Sequence, residues 1–389
     1  KMDIWTMFGC VAIDLLRDGG ILGFIAPNSW ITNAGASIFR DKILKEGELK
    51  AFIDFGDYKV FEQAGIQTMI LIFEKKKPRE RYSVDYLKVD DKNTTEDRLI
   101  SDIFGKKTKI EVIPRNLLGH FLVFNEGQKD VILNKIKLKA NYKIDQEDIG
   151  NGIDVLQDFV VEKHLQYLHD KTIRKGDGIF VVSDKEIAEI RPIKPELNFL
   201  RPYHTSKEIN RYLSIQATNK KIIYADCYFR EKINEFPNLK KHLDKFKDIL
   251  TSAYAPYGLH RPREERFFNG GCIYAIRKTK YPAFSYVDFP CYVTRAFMIL
   301  KLRGLDFKYA IGILNSRLVY FWLKHKGKLQ GEQLQVDKEP LLELPIFVGN
   351  LSEQRQIIFL VKKMIELNNL LYFTPENSEK YNSLKTEIE

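Results

Sequence analysis

The order of apolar segments in the first 75 residues limits the fold of this chain more than any other feature. Apolar residues recur at helical spacing over residues 5–16, and the glycines at 19–20 end that helix. Residues 21–26 form a short apolar run, which predicts a strand buried on both faces. Helical spacing returns over residues 38–44. This alternation of helix and strand predicts an α/β fold.

Two more strands are predicted over residues 49–55 and 68–74. The connection between them is too short for a crossover helix, so the two strands are expected to pair antiparallel. Residues 82–89 alternate like a further strand, and residues 110–113 predict another. Over residues 5–74, the predicted order is therefore helix, strand, helix and then an antiparallel pair of strands.

Six short motifs follow one another in this stretch: Asp3-Ile4-Trp5 with Phe8, Leu15-Leu16 with Gly19-Gly20, Phe24-Ile25 with Pro27-Asn28-Ser29-Trp30, Ile53-Asp54-Phe55-Gly56, Val60-Phe61 with Ala64, and Thr68-Met69-Ile70-Leu71-Ile72-Phe73. In this order they resemble adenine-specific DNA methyltransferases of the TaqI-like type and related type IIG restriction-modification enzymes. The resemblance implies the C-terminal part of a class I (Rossmann-like) methyltransferase sheet, followed by a mixed α/β target-recognition domain. In that family a catalytic Asn-Pro-Pro-Tyr motif lies just before these pieces, so a missing N-terminal catalytic half is implied as a partner.

The same resemblance implies that the complete protein transfers a methyl group from S-adenosylmethionine to the exocyclic amine of adenine in double-stranded DNA. The chain has no Asn-Pro-Pro-Tyr motif, and residues 255–257 (Ala-Pro-Tyr) lack its first hydrogen-bonding residue. The glycines of residues 147–152 follow no apolar strand and predict a loop, not a cofactor turn. We therefore expect no catalytic residue in this fragment and no cofactor bound by it alone. Its abrupt start at Lys1 suggests a piece of a longer protein.

Composition narrows the class of protein and its surroundings. The formal net charge of +10 favours an anionic partner, although a lysine-rich proteome also explains it. The four cysteines show no paired spacing, which argues against zinc and against a disulfide framework. No run approaches the roughly 20 apolar residues of a membrane span, and no signal peptide opens the chain. These features predict a cytoplasmic protein without a metal or a membrane partner.

Changes of pattern along the chain predict three regions, over 1–125, 126–348 and 349–389. The resemblance implies that the first is the methyltransferase part and the second the DNA target-recognition domain, and the third is a C-terminal helical segment. The second region is rich in short strands and aromatic residues, and Leu200-Arg201-Pro202-Tyr203 and Leu314-Asn315-Ser316 are among its pieces that resemble the recognition domain of the same family. One amphipathic helix is predicted over 309–324. A final helix is predicted over 352–371 with Ser352 as its N-cap.

Four residues near the predicted sheet are candidates for holding the target base. An enzyme that acts on a base must take it out of the stack, and an aromatic face can hold it. The resemblance puts Phe61 in that position, with Tyr58 as a lesser alternative. Asn28 and Trp30 follow the strand that ends at Pro27, where open α/β sheets place ligands, and they are candidates for lining the pocket. The alternative to a binding role is that Phe61 is a core residue and that Trp30 only packs against other side chains.

Basic and amide side chains in the second region are candidates for DNA binding. Arginine can bind guanine edges or clamp phosphates, lysine contacts phosphates, and glutamine can read adenine edges. The candidates are Arg261, Arg263, Arg266, Arg277, Lys278, Lys280, Lys324, Lys326, Lys328, Gln330 and Gln333, with Gln335 beside them. Each charge taken singly also fits a solvated surface. Together they favour a basic face.

Other interpretations stay open or are rejected on position. Asp54 with Glu74 and Lys76 mimics the pattern of a metal-dependent nuclease, but these residues fall on predicted sheet strands. His164 and His169 lack metal-ligand spacing. Three alternatives to the methyltransferase part remain: a non-catalytic specificity subunit, the modification part of a bifunctional type IIG restriction endonuclease, and a fragment of an RNA or protein methyltransferase.

Overall fold

A computed structural model describes residues 3–31, 34–61, 66–89, 91–105, 107–119, 122, 127–330 and 333–388. Lys1–Ala140 with Phe321–Gln335 forms one compact unit, and Asn141–Tyr320 with Val336–Glu389 forms a second. These units differ from the three predicted regions, because the helix after residue 126 falls in the first unit and the C-terminal helices fall in the second. The three functional regions stay a prediction.

The opening of the chain has the alternation that its apolar pattern predicts. Its helices and strands are α1 (Ile4–Leu15), β1 (Ile21–Pro27), α2 (Ser37–Glu46), β2 (Gly47–Asp54), β3 (Thr68–Lys75), β4 (Tyr82–Lys88), α3 (Glu96–Gly105), β5 (Thr108–Val112), α4 (Pro114–Leu117) and α5 (Gly127–Lys139). The five strands form one sheet in the order β1-β3-β2-β4-β5. Strand β3 is antiparallel to both β1 and β2, which confirms the predicted pair and makes β1 parallel to β2.

Strand β1 lies at an edge of this sheet. Its register pairs Ile21 with Glu74 and Pro27 with Thr68 of β3. Ile21 is 63% exposed and Ile25 is also exposed, so the prediction of a strand buried on both faces is wrong for this chain. An apolar strand is buried on both faces only where another layer of the protein covers each face. The described part of the chain leaves Ile21 and Ile25 uncovered.

Glu48 ties the start of β2 to the connection between β3 and β4. Its buried carboxylate accepts bonds from Arg79 Nε at 2.8 Å and Arg79 Nη2 at 2.7 Å, and Lys76 Nζ lies 3.1 Å away. The Arg79 fork and the Lys76 ammonium lower the pKa of Glu48 to about 2. The two hydrogen bonds from Arg79 hold both side chains in one geometry. Bidentate ion pairs of this kind contribute to stability.

Replacing Glu48 by glutamine is expected to lower the free energy of unfolding by about 1–2 kcal/mol at neutral pH, since solvent around Arg79 screens part of the attraction. The folded-state pKa of about 2 lies below the ordinary 4.5, so the stabilisation is complete above 4.5 and is lost as the pH falls through about 2. Urea unfolding at neutral and acidic pH measures the difference. Glu111→Gln, at an exposed ion pair with Arg81, is the control with no comparable loss.

The second stretch of chain is built from short strands and helices. They are β6 (Ile149–Asn151), β7 (Val181–Ser183), α6 (Asp184–Ile190), β8 (Leu200–Pro202), β9 (Ile209–Asn210), β10 (Leu213–Ser214), β11 (Lys220–Ile223), α7 (Cys227–Glu231), α8 (Pro237–Asp244), β12 (Cys272–Ile276), β13 (Lys278–Thr279), β14 (Phe284–Val287), β15 (Phe297–Leu300), α9 (Phe307–Leu314), α10 (Arg317–Lys326), β16 (Lys328–Gln330), β17 (Gln333–Gln335), α11 (Lys338–Leu342), α12 (Leu351–Tyr372) and α13 (Glu379–Ile388). Two antiparallel sheets, β7-β11-β8 and β14-β12-β15-β6, organise its core.

The structure corrects three local predictions in this stretch. Residues 149–151 form strand β6 instead of a loop, because they pair with β15. The helix predicted over 309–324 is two helices, because buried Asn315 accepts from Phe284 N at 2.9 Å and donates to Phe284 O at 2.8 Å. The N-cap of α12 is Asn350 and not Ser352, since the Asn350 side chain accepts from the amides of Ser352 and Glu353.

Candidate functional site

The carboxyl ends of β1 and β2 carry a network of polar side chains. Asn28 Nδ2 donates to Asp54 Oδ1 at 3.2 Å and to Gln67 Oε1 at 3.3 Å. Asp54 Oδ1 also accepts from Gly56 N at 3.0 Å, and Asn28 N donates to Gln67 O at 2.9 Å. The ends of two parallel strands are thus joined through the residue that precedes β3. This is the edge at which open α/β sheets bind ligands.

Trp30 supports the turn that carries Asn28 from inside the core. It has no exposed surface, and its ring packs against Phe39 and Phe52. Its Nε1 donates to Met69 Sδ at 2.7 Å, and its carbonyl oxygen accepts from buried Arg40 Nη1 at 2.6 Å. These contacts favour a packing role over the predicted pocket-lining role. Sequence patterns missed Arg40, because a single arginine within a helix usually indicates solvent.

Phe61 and Tyr58 lie in the connection between β2 and β3, but their surroundings differ. Phe61 is 52% exposed, so about half of the residue is accessible. Tyr58 is partly buried, packs on the cluster around Phe55, and its ring centroid lies 6.3 Å from that of Phe55. Ala64, the next residue of the sequence motif, lies outside the described residues. Of the two aromatic candidates, Phe61 is the one that can receive a flat ligand.

The predicted arginines of the second unit fall into two groups. Arg266 Nε donates to Glu264 at 2.7 Å, and Arg277 Nε donates to Asp337 at 2.9 Å, so carboxylates already neutralise these two. Within the described part of the chain, Arg261 and Arg263 have no ion-pair partner. Lys278 and Lys280 are exposed, and Lys280 Nζ lies 5.9 Å from the centre of the Tyr281 ring.

A hairpin brings together the remaining candidates. Strands β16 and β17 pair Gln330 with Gln333 and Lys328 with Gln335. Lys324 and Lys326 stand in the last turn of α10, just before this hairpin. Gln330 and Gln333 are exposed, which an adenine-reading role requires. Their assignment to DNA remains a prediction.

The glycines at 150 and 152 do not form a cradle for S-adenosylmethionine. A Cβ at Gly150 would enter the Phe267 ring, and one at Gly152 would overlap the carbonyl oxygen of Thr294. These glycines therefore permit close packing of the chain on itself. Over the described ranges, no group of three or more potential metal ligands occurs, and no helix is long and apolar enough to cross a membrane.

A family model and curated proteins both match this chain, and they belong to the same class of protein. Residues 1–61 match the family model described as Eco57I restriction-modification methylase. The type II methyltransferase M.HincII of Haemophilus influenzae is 24% identical over 362 residues, which cover 88% of this chain and 66% of that protein. The type II methyltransferase M.HindII of Haemophilus influenzae strain Rd is 23% identical over 362 residues, which cover 88% of this chain and 67% of that protein.

A solved structure shares the fold of the whole chain. The type IIL restriction-modification enzyme MmeI, in complex with DNA, matches with a TM-score of 0.58 at 11% identity, over 100% of this chain and 48% of that one. The predicted resemblance to restriction-modification methyltransferases and the predicted α/β fold are thereby confirmed. The chain spans about two thirds of the length of the curated relatives and about half of that structure.

Proposed function

We propose that this chain is the C-terminal part of an adenine-specific DNA methyltransferase of a restriction-modification system. Residues 1–125 supply the end of the catalytic sheet and hold the target base, and residues 126–348 read the DNA sequence. The observation that carries the proposal is the β1-β3-β2 order, with Asn28, Asp54 and Phe61 at the ligand-binding edge of the segment that matches the methylase family. The cytoplasm is the proposed location.

S-adenosylmethionine is the methyl donor proposed for the complete protein, on the strength of its methyltransferase relatives. Gly150 and Gly152 pack closely against Phe267 and Thr294, and we assign cofactor binding to the N-terminal half that the resemblance implies. The role proposed for this chain is to stack the extruded base on Phe61 and to orient it beside Asn28, while residues 126–348 hold double-stranded DNA.

The surface on which the missing half packs is proposed from an apolar stripe on α1. Ile4, Met7, Phe8, Val11 and Leu15 recur at helical spacing and are each more than half exposed. The edge strand β1 continues the stripe with Ile21 and Ile25, and its outer backbone groups have no strand partner among the described residues. Exposed apolar patches and open strand edges mark interaction surfaces. We propose that the catalytic half continues the sheet from β1.

Replacing Phe8 by aspartate in the complete protein is expected to lower its free energy of unfolding by about 2–3 kcal/mol, because a charge would enter the buried interface. Chemical unfolding followed by tryptophan fluorescence measures the loss. Phe104→Asp is the matched control, since Phe104 on α3 is 81% exposed. Equal stability of the two variants would contradict packing on α1.

The proposed activity is tested by incubating the complete protein with labelled S-adenosylmethionine and unmethylated DNA. We expect label in N6-methyladenine, identified by mass spectrometry of the nucleosides. DNA binding without transfer would support the specificity subunit, and label in RNA or protein would support those classes of methyltransferase.

A second candidate is the modification and specificity part of a bifunctional type IIG endonuclease. Its support is the fold similarity to a type IIL restriction-modification enzyme over the whole chain. Cleavage of DNA by the same complete protein would distinguish it from a methyltransferase alone.

A further inference from the structure

Three segments of the second unit meet at Asp154. Ile153 pairs with Thr294 on one side, and Asp154 pairs with Arg261 on the other. The pairing is tight: Asp154 N donates to Arg261 O at 3.1 Å, Arg261 N donates back at 3.2 Å, and Arg295 N donates to Ile153 O at 2.8 Å. Residues paired in this way project their side chains to the same face. The backbone therefore places Arg261 and Arg295 on either side of the Asp154 carboxylate.

A third arginine joins this group from the same loop as Arg261. Arg263 has a φ of 75°, and its carbonyl oxygen accepts from Tyr224 Oη at 2.8 Å, which fixes a left-handed backbone that non-glycine residues rarely adopt. Its Nε is buried and has no hydrogen-bond partner among the described residues. Burial lowers the pKa of Arg263, the neighbouring Arg261 lowers it further, and Asp154 opposes both.

The positive charge of the group exceeds its negative charge. Asp154 is buried, and its Oδ1 lies 3.5 Å from Arg295 Nη1. One carboxylate thus lies near three arginines: Arg295 contacts it, Arg261 pairs with Asp154 through the backbone, and Arg263 is within reach of its charge. Arg277 donates to Asp337, and its positive charge also lowers the pKa of Arg263. The hydrogen bond that Arg263 Nε lacks costs free energy, and the excess of positive charge favours an anion with several acceptor oxygens.

We propose that Arg261, Arg263 and Arg295 together bind one phosphate group of the DNA backbone. The proposal rests on the proposed function for its partner, and it adds Arg295, which no sequence pattern indicated. Guanidinium forks match the spacing of phosphate oxygens, and a phosphate contact fixes the register of a protein on the duplex without reading a base. Asp154 holds Arg295 in reach of that phosphate.

The test is the salt dependence of binding between the complete protein and a random-sequence duplex of about 30 base pairs, measured by fluorescence anisotropy. Each of Arg263→Gln and Arg295→Gln is expected to weaken binding about tenfold at moderate salt. The double variant should reduce the slope of log Kd against log[NaCl] by about 0.9, the value for one lost phosphate contact. Each single variant leaves two arginines on the same phosphate, so its slope should fall by no more than that value.

Two comparisons make the result decisive. Arg355→Gln, on exposed α12, removes the same charge outside the group and should leave the slope unchanged. Arg295 is largely exposed, so its variant keeps the fold even where Arg263→Gln does not. Undiminished affinity of Arg295→Gln for the duplex, or a slope loss near 1.8 for the double variant, would overturn the single phosphate site. A parent protein that binds no duplex at all would instead refute the proposed function.

Discussion

Replacing Phe61 by alanine in the complete protein is expected to slow methylation of its DNA site by roughly ten- to a hundredfold. Stacking of a base on an aromatic ring contributes about 1–3 kcal/mol, and alanine offers no face on which the extruded base can stack. Phe61 is half exposed, so its removal should leave the unfolding midpoint nearly unchanged. Single-turnover methylation and thermal unfolding, measured on the same preparation, separate the two effects.

Two variants test whether the loss comes from stacking. Phe61→Trp keeps a flat aromatic face and should retain most of the rate. Phe104→Ala removes an equally large and more exposed ring from α3, and should change neither rate nor stability. Undiminished methylation by Phe61→Ala would exclude Phe61 from the base-holding role and leave Tyr58 as the aromatic candidate.

Replacing Trp30 by alanine is expected to lower the free energy of unfolding by about 3–5 kcal/mol, the range for removing a buried large aromatic side chain. The Trp30 ring centroid lies 5.1 Å from that of Phe39 and 6.3 Å from that of Phe52, so the variant leaves a cavity in the core. It also removes the donor to Met69 Sδ. Urea unfolding of the complete protein measures the loss.

The same residue distinguishes packing from pocket lining. Trp30→Phe keeps most of the volume and should retain kcat/KM within a few-fold in the folded fraction. Ile38→Ala, at an exposed position of α2, is the control for a surface truncation in the same unit. A stable Trp30→Ala protein with a raised KM for DNA would restore the predicted pocket-lining role.

Much of the polar edge at the carboxyl ends of β1 and β2 could be predicted from the sequence, because its pieces are local. Asn28 directly follows an apolar run, and Phe61 lies in a connection between two strands. Gln67 could not be predicted, because its contact with Asn28 depends on the register that puts Thr68 opposite Pro27. A shift of the register by one residue would have turned a different side chain toward Asn28.

For the basic residues, the sequence shows where the charges are but not which of them have ion-pair partners. Composition indicates an anionic partner, but it does not distinguish Arg277, which Asp337 neutralises from 60 positions away, from Arg263, which lacks such a partner among the described residues. Arg295 joins the group only through the pairing of Ile153 with Thr294. Charge counts from sequence therefore overstate the number of arginines that can bind DNA.

The order of helices and strands, the antiparallel pair and the resemblance to methylases follow from the sequence alone, because apolar periodicity and turn residues act over a few neighbouring positions. The edge position of β1, the division of one apolar stretch into two helices at Asn315, and the arginines that keep an uncompensated charge follow from tertiary contacts. Each of these depends on groups that are distant in sequence, and folding brings them within hydrogen-bond distance.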